Sequence, residues 1–174
     1  MADRSDEQRL REQFWEELDD SPFVMLGLQG VNDAMTRPMT AQVDAPDGDS
    51  GEGGQIYFFG AHSEDLVKGL GRSDRAIATF VSKGHKLFAS IHGTLVLDQD
   101  RAVIDRLWNP MIASWYKDGK DDPDLALIRF DAVSADIWEA SAGSSLKAAT
   151  LKMLFNKDPG KEHRDEHRAE VALS

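Results

Sequence analysis

Extended segments outnumber helical ones in this 174-residue chain, and several follow one another across nothing longer than a turn. Parallel neighbours need a crossover of about a dozen residues or more, usually a helix, so this order disfavours a parallel α/β sheet. An antiparallel sheet closed into a barrel fits better, because closure removes the exposed edges. The strongest β signal is Gln55-Ile56-Tyr57-Phe58-Phe59-Gly60, rich in aromatic side chains. Phe23 to Leu28, Pro38 to Val43, Ala76 to Val81, Lys86 to Leu97, Leu125 to Phe130 and Ala135 to Trp138 read as further extended runs. Residues 45–54 hold one proline, four glycines and three acids, which predicts a solvated loop closing a hairpin between two of these strands. The fold class expected is mainly β, an antiparallel barrel of about six strands with short flanking helices.

The helices have local start and stop signals. Ser5 opens the first, with Asp6 and Glu7 in the turn where a carboxylate favours the helix dipole. Leu10, Phe14 and Leu18 form its apolar stripe, and Ser21-Pro22 ends it. Ser63 is placed to cap a short helix that offers Leu66, Val67 and Leu70 for packing, with Gly71 as its stop. A third runs from Asp100 to about Trp108, where Asn109-Pro110 breaks it. Leu146, Thr150, Met153 and Leu154 share one face of a closing helix, and Pro159-Gly160 begins a polar tail. The organisation expected is a barrel with its first helix over 1–143, then a helix and tail over 144–174.

Composition narrows the function. A net charge of −11 and a pI of about 4.8 argue against general binding to nucleic acid or an anionic membrane, which require a basic face. With no cysteine, disulfides, thiolate metal sites and thiol catalysis are unavailable. No apolar run approaches the roughly 20 residues of a membrane span, and Met1 to Glu7 lacks the apolar stretch of a secretory signal. A soluble, cytoplasmic protein is expected.

Within that acidic chain, Arg37 is the sole Lys or Arg between Glu12 and Val67, a window holding twelve carboxylates. Pro38 pushes it towards extended backbone. A lone arginine on a strand suits the grip on a phosphate or carboxylate, or an ordinary ion pair with a nearby Asp. Flavin and pyridoxal cofactors need a flat apolar slot, backbone donors and cations for the phosphate. Arg37, Lys68, Arg72, Arg75, Lys83 and Lys86 supply cations around the central strands, while Gly60 and Ala61 permit close approach to the backbone. Ser63 is either a phosphate contact at a helix start or an N-cap, and the two roles are compatible. Lys83-Gly84-His85-Lys86 reads as a cationic rim or a solvated hairpin turn. His92 reads as a ligand contact or a satisfied strand histidine. Trp108, Trp115 and Trp138 either stack on a ring or fill the core. His163 and His167, at i, i+4 in a highly charged stretch, read as a solvated face rather than a metal site. Gly51-Glu52-Gly53-Gly54 precedes a strand, the wrong order for a phosphate-binding loop, and no Gly-x-Ser-x-Gly elbow is present.

These pieces, in order, resemble the FMN-binding split-barrel family related to pyridoxamine 5′-phosphate oxidase, in its general stress protein branch. The resemblance runs over roughly residues 8 to 140. It is carried by the Phe/Trp-rich first helix, Thr36-Arg37-Pro38-Met39, Gly54 to Phe59, Ser63, the strand from Ala76, Phe88-Ala89-Ser90-Ile91-His92-Gly93 and Asp105-Arg106-Leu107-Trp108. Trp115-Tyr116 through Gly119, Asp121 to Leu127, and Ala135-Asp136-Ile137-Trp138 complete it. It implies a six-stranded split barrel, a homodimer and one FMN at each of two interfacial sites. The strand matching Arg37, Pro38, Met39 and Thr40 would offer its arginine to the phosphate side and its backbone to the ring. Phe58, Phe59, Gly60 and Ala61 would lie along the other side, and Ser63 would contact phosphate. Many relatives carry a lysine where this chain has Asp65, so Lys68 or Lys83 would substitute for it. Trp108 or Trp115 of the partner subunit would cover the ring. The function implied is an FMN-dependent oxidoreductase acting on a small molecule; the alternative is a non-catalytic flavin or pyridoxal-phosphate binding or sensing module in a stress response.

Overall fold

One residue, Ala41, separates two strands that stand at opposite ends of the same sheet. In the computed structural model, which describes residues 4–31, 35–45 and 53–140 together with the backbone of 168–172, β1 (Phe23–Leu28) pairs with β2 (Arg37–Thr40). The next strand, β3 (Gln42–Asp44), pairs instead with β4 (Gln55–Ala61). With β5 (Arg75–Val81), β6 (Leu87–Leu97) and β7 (Leu125–Glu139), the sheet order is β2-β1-β5-β6-β7-β4-β3, antiparallel throughout. The two ends of this path are thus consecutive in sequence, and the sheet has to curl until they meet. Ala41 is buried at the joint, its amide donating to the carbonyl of Pro22 at 2.7 Å. The run expected as one strand from Pro38 to Val43 is therefore two, because the chain changes partner at its middle.

The split barrel and flanking helices expected from the sequence are present, with eight strands among the described residues in place of six. Two other differences have physical causes. The runs 125–130 and 135–138 form one continuous strand, β7, held on one side by β6 across the intervening residues 131–134. On its other side β4 takes Leu125 to Phe130, and β8 (Arg168–Ala172) takes Ser134 to Trp138. A strand thus stands where a polar tail is expected, because half an edge of β7 would otherwise lack partners. The expected helix at 146–154 lies outside the described residues.

The β6–β7 ladder changes register between His92 and Gly93, leaving Val133 as the extra residue of a bulge. Gly93 is required there. A Cβ on it would collide with the carbonyl oxygen of Asp131 and lie 2.9 Å from the Cα of Ala132.

Helix α1 (Arg4–Asp20) lays Leu10, Phe14, Trp15 and Leu18 onto the barrel, where Phe14 meets Phe80 edge-on at 6.0 Å. Trp15 joins the predicted i, i+4 stripe as the neighbour that widens it. Two short helices, α2 (Asp65–Gly69) and α3 (Arg101–Leu107), follow β4 and β6. Asn109-Pro110 both ends α3 and starts α4 (Pro110–Ala113): Asn109 Oδ1 accepts from the amides of Met111 and Ile112, each at 3.0 Å, and Pro110 occupies the first helical position. A second, smaller core lies outside β4 and β7, where Val103 and Ile104 of α3 meet Tyr57, Leu125 and Leu127. Phe59, Trp108 and Tyr116 pack on its rim. Among the described residues no helix is long and apolar enough to cross a membrane.

Gly93→Ala is expected to lower stability by about 1–3 kcal/mol, the scale of overpacking against rigid backbone. Urea denaturation of the two proteins side by side measures it.

Candidate functional site

The strand joint at Ala41 sets Arg37 beside the end of β4. Pro38 keeps β2 extended, and pairing in register with Leu26 fixes where Arg37 leaves the sheet. Its Nη2 donates to Glu64 Oε1 at 3.0 Å. The other oxygen of Glu64 accepts a longer bond from the amide of Ala61, 3.4 Å away. The side chains of Arg37 and Glu64 are 37% and 32% exposed, so the pair contributes about 1 kcal/mol or less. The arginine thus has the ion-pair partner that its acidic surroundings suggest, though this partner is a Glu 27 residues away rather than a nearby Asp.

Two clefts flank this pair. The first, about 400 Å³, has Leu26 and Leu28 of β1 as its floor and Met35, Thr36 and Arg37 on one side. Ser63, Glu64, Asp65 and Leu66 form the opposite side. The second, about 250 Å³, is a slot between β2 and β4. Pro38, Met39 and Thr40 make one wall, and Phe59, Gly60 and Ala61 the other. Met111, Ile112, Trp115 and Tyr116, from α4 and the turn after it, close its end. Glu64 is the one residue that lines both.

Tyr116 closes the end of the slot and is anchored to its β4 wall. Its hydroxyl donates to the carbonyl of Gly60 at 2.7 Å, tying the α4 turn to β4. Trp108 packs behind it, with ring centres 5.9 Å from Tyr116 and 5.8 Å from Phe59. Burial, reinforced by the charges of Glu64, Asp122 and Asp124, pushes the Tyr116 hydroxyl up to about 12. It therefore stays protonated and serves as a donor at neutral pH.

Ser63 does not cap α2. Glu64 occupies the cap position without a side-chain cap bond. Both polar groups of Ser63 go instead to Asp124: its amide donates to Oδ1 at 2.8 Å and its hydroxyl to Oδ2 at 2.6 Å. The hydroxyl first, and then the amide, hold the Asp124 carboxyl below its usual range.

Of the candidate residues, Arg37, Pro38, Met39, Thr40, Phe59, Gly60, Ala61, Ser63 and Trp115 line one cleft or the other. Trp115 reaches the slot from its own chain. Phe58 points the opposite way from Phe59, into the core beside Phe130. Trp108 stands behind the slot rather than in it. Lys68 is exposed on α2, and Lys83 lies in the turn after β5, five residues beyond Ala78, the residue in register with Leu26. His92 lies outside the lining of both clefts, 3.3 Å from Ser90 Oγ and 4.0 Å from Asp136 Oδ2. His85 occupies the β5–β6 turn with a φ of 53°. His163 and His167 fall outside the described residues, among which no metal-binding group of side chains occurs. Glu64, Tyr116, Asp124 and Met111 were not among the candidates. Tyr116, beside Trp115, and Asp124, in the run Asp121 to Leu127, fall in stretches that carry the resemblance, whereas nothing local marks Glu64 or Met111.

A family model described as "Pyridoxamine 5'-phosphate oxidase like" matches residues 9–162. The chain belongs to the pyridoxamine 5′-phosphate oxidase-like family. Among solved structures, this family member is similar to the general stress FMN/FAD binding protein from Xanthomonas citri, at 49% identity and a TM-score of 0.70, covering 78% of this chain and 92% of that one. It is equally similar in sequence, 49%, to a general stress family protein from Xanthomonas campestris pv. campestris, with a TM-score of 0.71 and coverage of 82% and 92%. General stress protein 26 from Jannaschia sp. CCS1 is 29% identical, with a TM-score of 0.68 and coverage of 94% and 98%. No curated protein matches this pyridoxamine 5′-phosphate oxidase-like chain.

Burial also raises Tyr57, the second of the two tyrosines, with Asp98 adding to the effect. Alkaline titration followed by tyrosinate absorbance should thus show little ionisation in the folded protein at the ordinary value of 10.0. A step near 12 should vanish in Tyr116→Phe. Since the folded value of Tyr116 is the raised one, its stabilising contribution is complete below about pH 10 and is lost as pH climbs through about 12.

Proposed function

We propose that this chain binds FMN across the two clefts and works, as a homodimer, in oxidoreduction of a small molecule. The observation that carries the reading is the slot itself: extended backbone of Pro38 to Thr40 on one wall, Phe59 to Ala61 on the other, with Arg37 lining the adjoining cleft. Tyr116, at the end of the slot, is tied to the β4 wall through Gly60. These residues fit a flavin: apolar walls for a planar ring, backbone groups on two strand ends for ring heteroatoms, and Arg37 with Ser63 beside the adjoining cleft for a phosphate. The similarity to a Xanthomonas citri FMN/FAD-binding protein over most of both chains supports it. Bound FMN would supply hydride and electron transfer, and the protein would orient it and limit access of water. Trp115 and Met111, exposed at the end of the slot, would meet a second copy of the chain.

A non-catalytic holder of the flavin is the second reading, and the charged groups of the clefts favour it. The ionisable residues lining them are Arg37, Glu64, Asp65 and Tyr116. Arg37 and Glu64 answer each other, and Tyr116 remains protonated. His85 and His92, the histidines that could serve as an acid or base over a ring, line neither cleft.

Titration of FMN into the protein, followed by quenching of flavin fluorescence, is expected to saturate, and Arg37→Ala is expected to weaken binding by about 1.5–3 kcal/mol. Failure to saturate removes the proposal. Reduction of the bound flavin by NADH or NADPH then divides the two readings: a rate no faster than that of free flavin leaves the holder.

A further inference from the structure

We infer that Glu64 is an internal competitor for Arg37, so that a phosphate-bearing ligand has to displace it, and that this residue sets how strongly the site prefers a phosphorylated flavin to a neutral one. The inference rests on the reading of Arg37 as the phosphate anchor. The guanidinium of Arg37 and the amide of Ala61 converge from two strands on one point, a ready seat for an anion. A carboxylate of the same chain already sits there, at 3.0 Å and 3.4 Å from the two donors. The tenant is removable: it is about one-third exposed, and its Ala61 bond is long.

Its position has a second consequence. Glu64 lines both the 400 Å³ cleft and the 250 Å³ slot, so it stands as the partition between them. Withdrawal of its side chain frees the arginine and joins the two spaces into one trough. A ligand with a planar body and a charged tail would then reach from the slot to Arg37. A neutral ligand confined to the slot has no such requirement. The adjacent anion-capable group behaves alike, since Ser63 presents its amide and hydroxyl to Asp124. Asp65 adds a further negative charge to the same lining. The phosphate end of this site is thus neutralised from within, and the charge of Glu64 opposes an incoming dianion directly.

The test titrates FMN and riboflavin separately, by fluorescence quenching, into the full-length wild type, Glu64→Gln and Glu64→Ala. Both variants are expected to bind FMN about three- to tenfold more tightly, the scale on which a partly exposed ion pair acts, with riboflavin changed by less than about twofold. The FMN-to-riboflavin affinity ratio within each protein does not depend on the fraction folded, so it stands even if one variant is less stable. Unchanged or weaker FMN binding in both variants, with a wild type that binds FMN, overturns this inference alone. A parallel gain for riboflavin also overturns it, since charge is then not the cause. If no protein binds either flavin, the proposed function fails and this inference with it.

Discussion

The single-residue link at Ala41 is the constraint on which the rest of the molecule depends. A path of strands whose two ends are neighbours in sequence cannot lie flat, and burial of Ala41 with its amide bonded to Pro22 locks the closure. The interior this creates is filled by Phe58, Phe80, Phe130, Leu26 and Ile91, and α1 plugs it with Phe14, Trp15 and Leu18. Closure also brings β2 alongside the end of β4, two strands that share no ladder. The clefts exist because those strands approach without pairing.

A seam of this kind suits ligand binding for a physical reason. Strand ends that do not bond each other keep backbone groups available, while the barrel behind them stays rigid. The seam is nonetheless not left open. Arg37 of β2 crosses it to Glu64, while Tyr116 holds the α4 turn to Gly60 on the β4 wall and Asp124 holds Ser63 just beyond that strand. The Arg37 and Tyr116 bonds are partly buried and the Ser63 bond is exposed.

Much of the barrel was legible because its strands carry their own signals. Phe23 to Leu28 and Gln55 to Gly60 are rich in residues that favour a pleated surface, and turn residues bound them. Two features escaped. The stretch from Asp131 to Ser134 looks like a gap, yet pairing with β6 and a bulge at Val133 carry the strand through it. Alternation from Pro38 to Val43 is unbroken across Ala41, and nothing local marks a change of partner. For the site, the lone Arg37 and the small Gly60-Ala61 pair stood out by type, and family resemblance grouped them. Their partners did not stand out. Glu64 meets Arg37 across 27 residues, Tyr116 meets Gly60 across 56 and Asp124 meets Ser63 across 61. A carboxylate in a chain full of carboxylates has no local mark of its role. Ser63 shows the converse, since a good capping residue was drawn away by a stronger acceptor 61 residues on.

The strand at Arg168–Ala172 has a bearing on how such a chain can be handled. It occupies the half of the β7 margin that β4 leaves vacant, from Ser134 to Trp138. Stripping it off would present a row of unanswered amides and carbonyls along β7, a ledge on which a strand from any other molecule could settle. Shortened versions of this protein would tend to stick to one another through their main chains, even with every apolar side chain of the interior still in place.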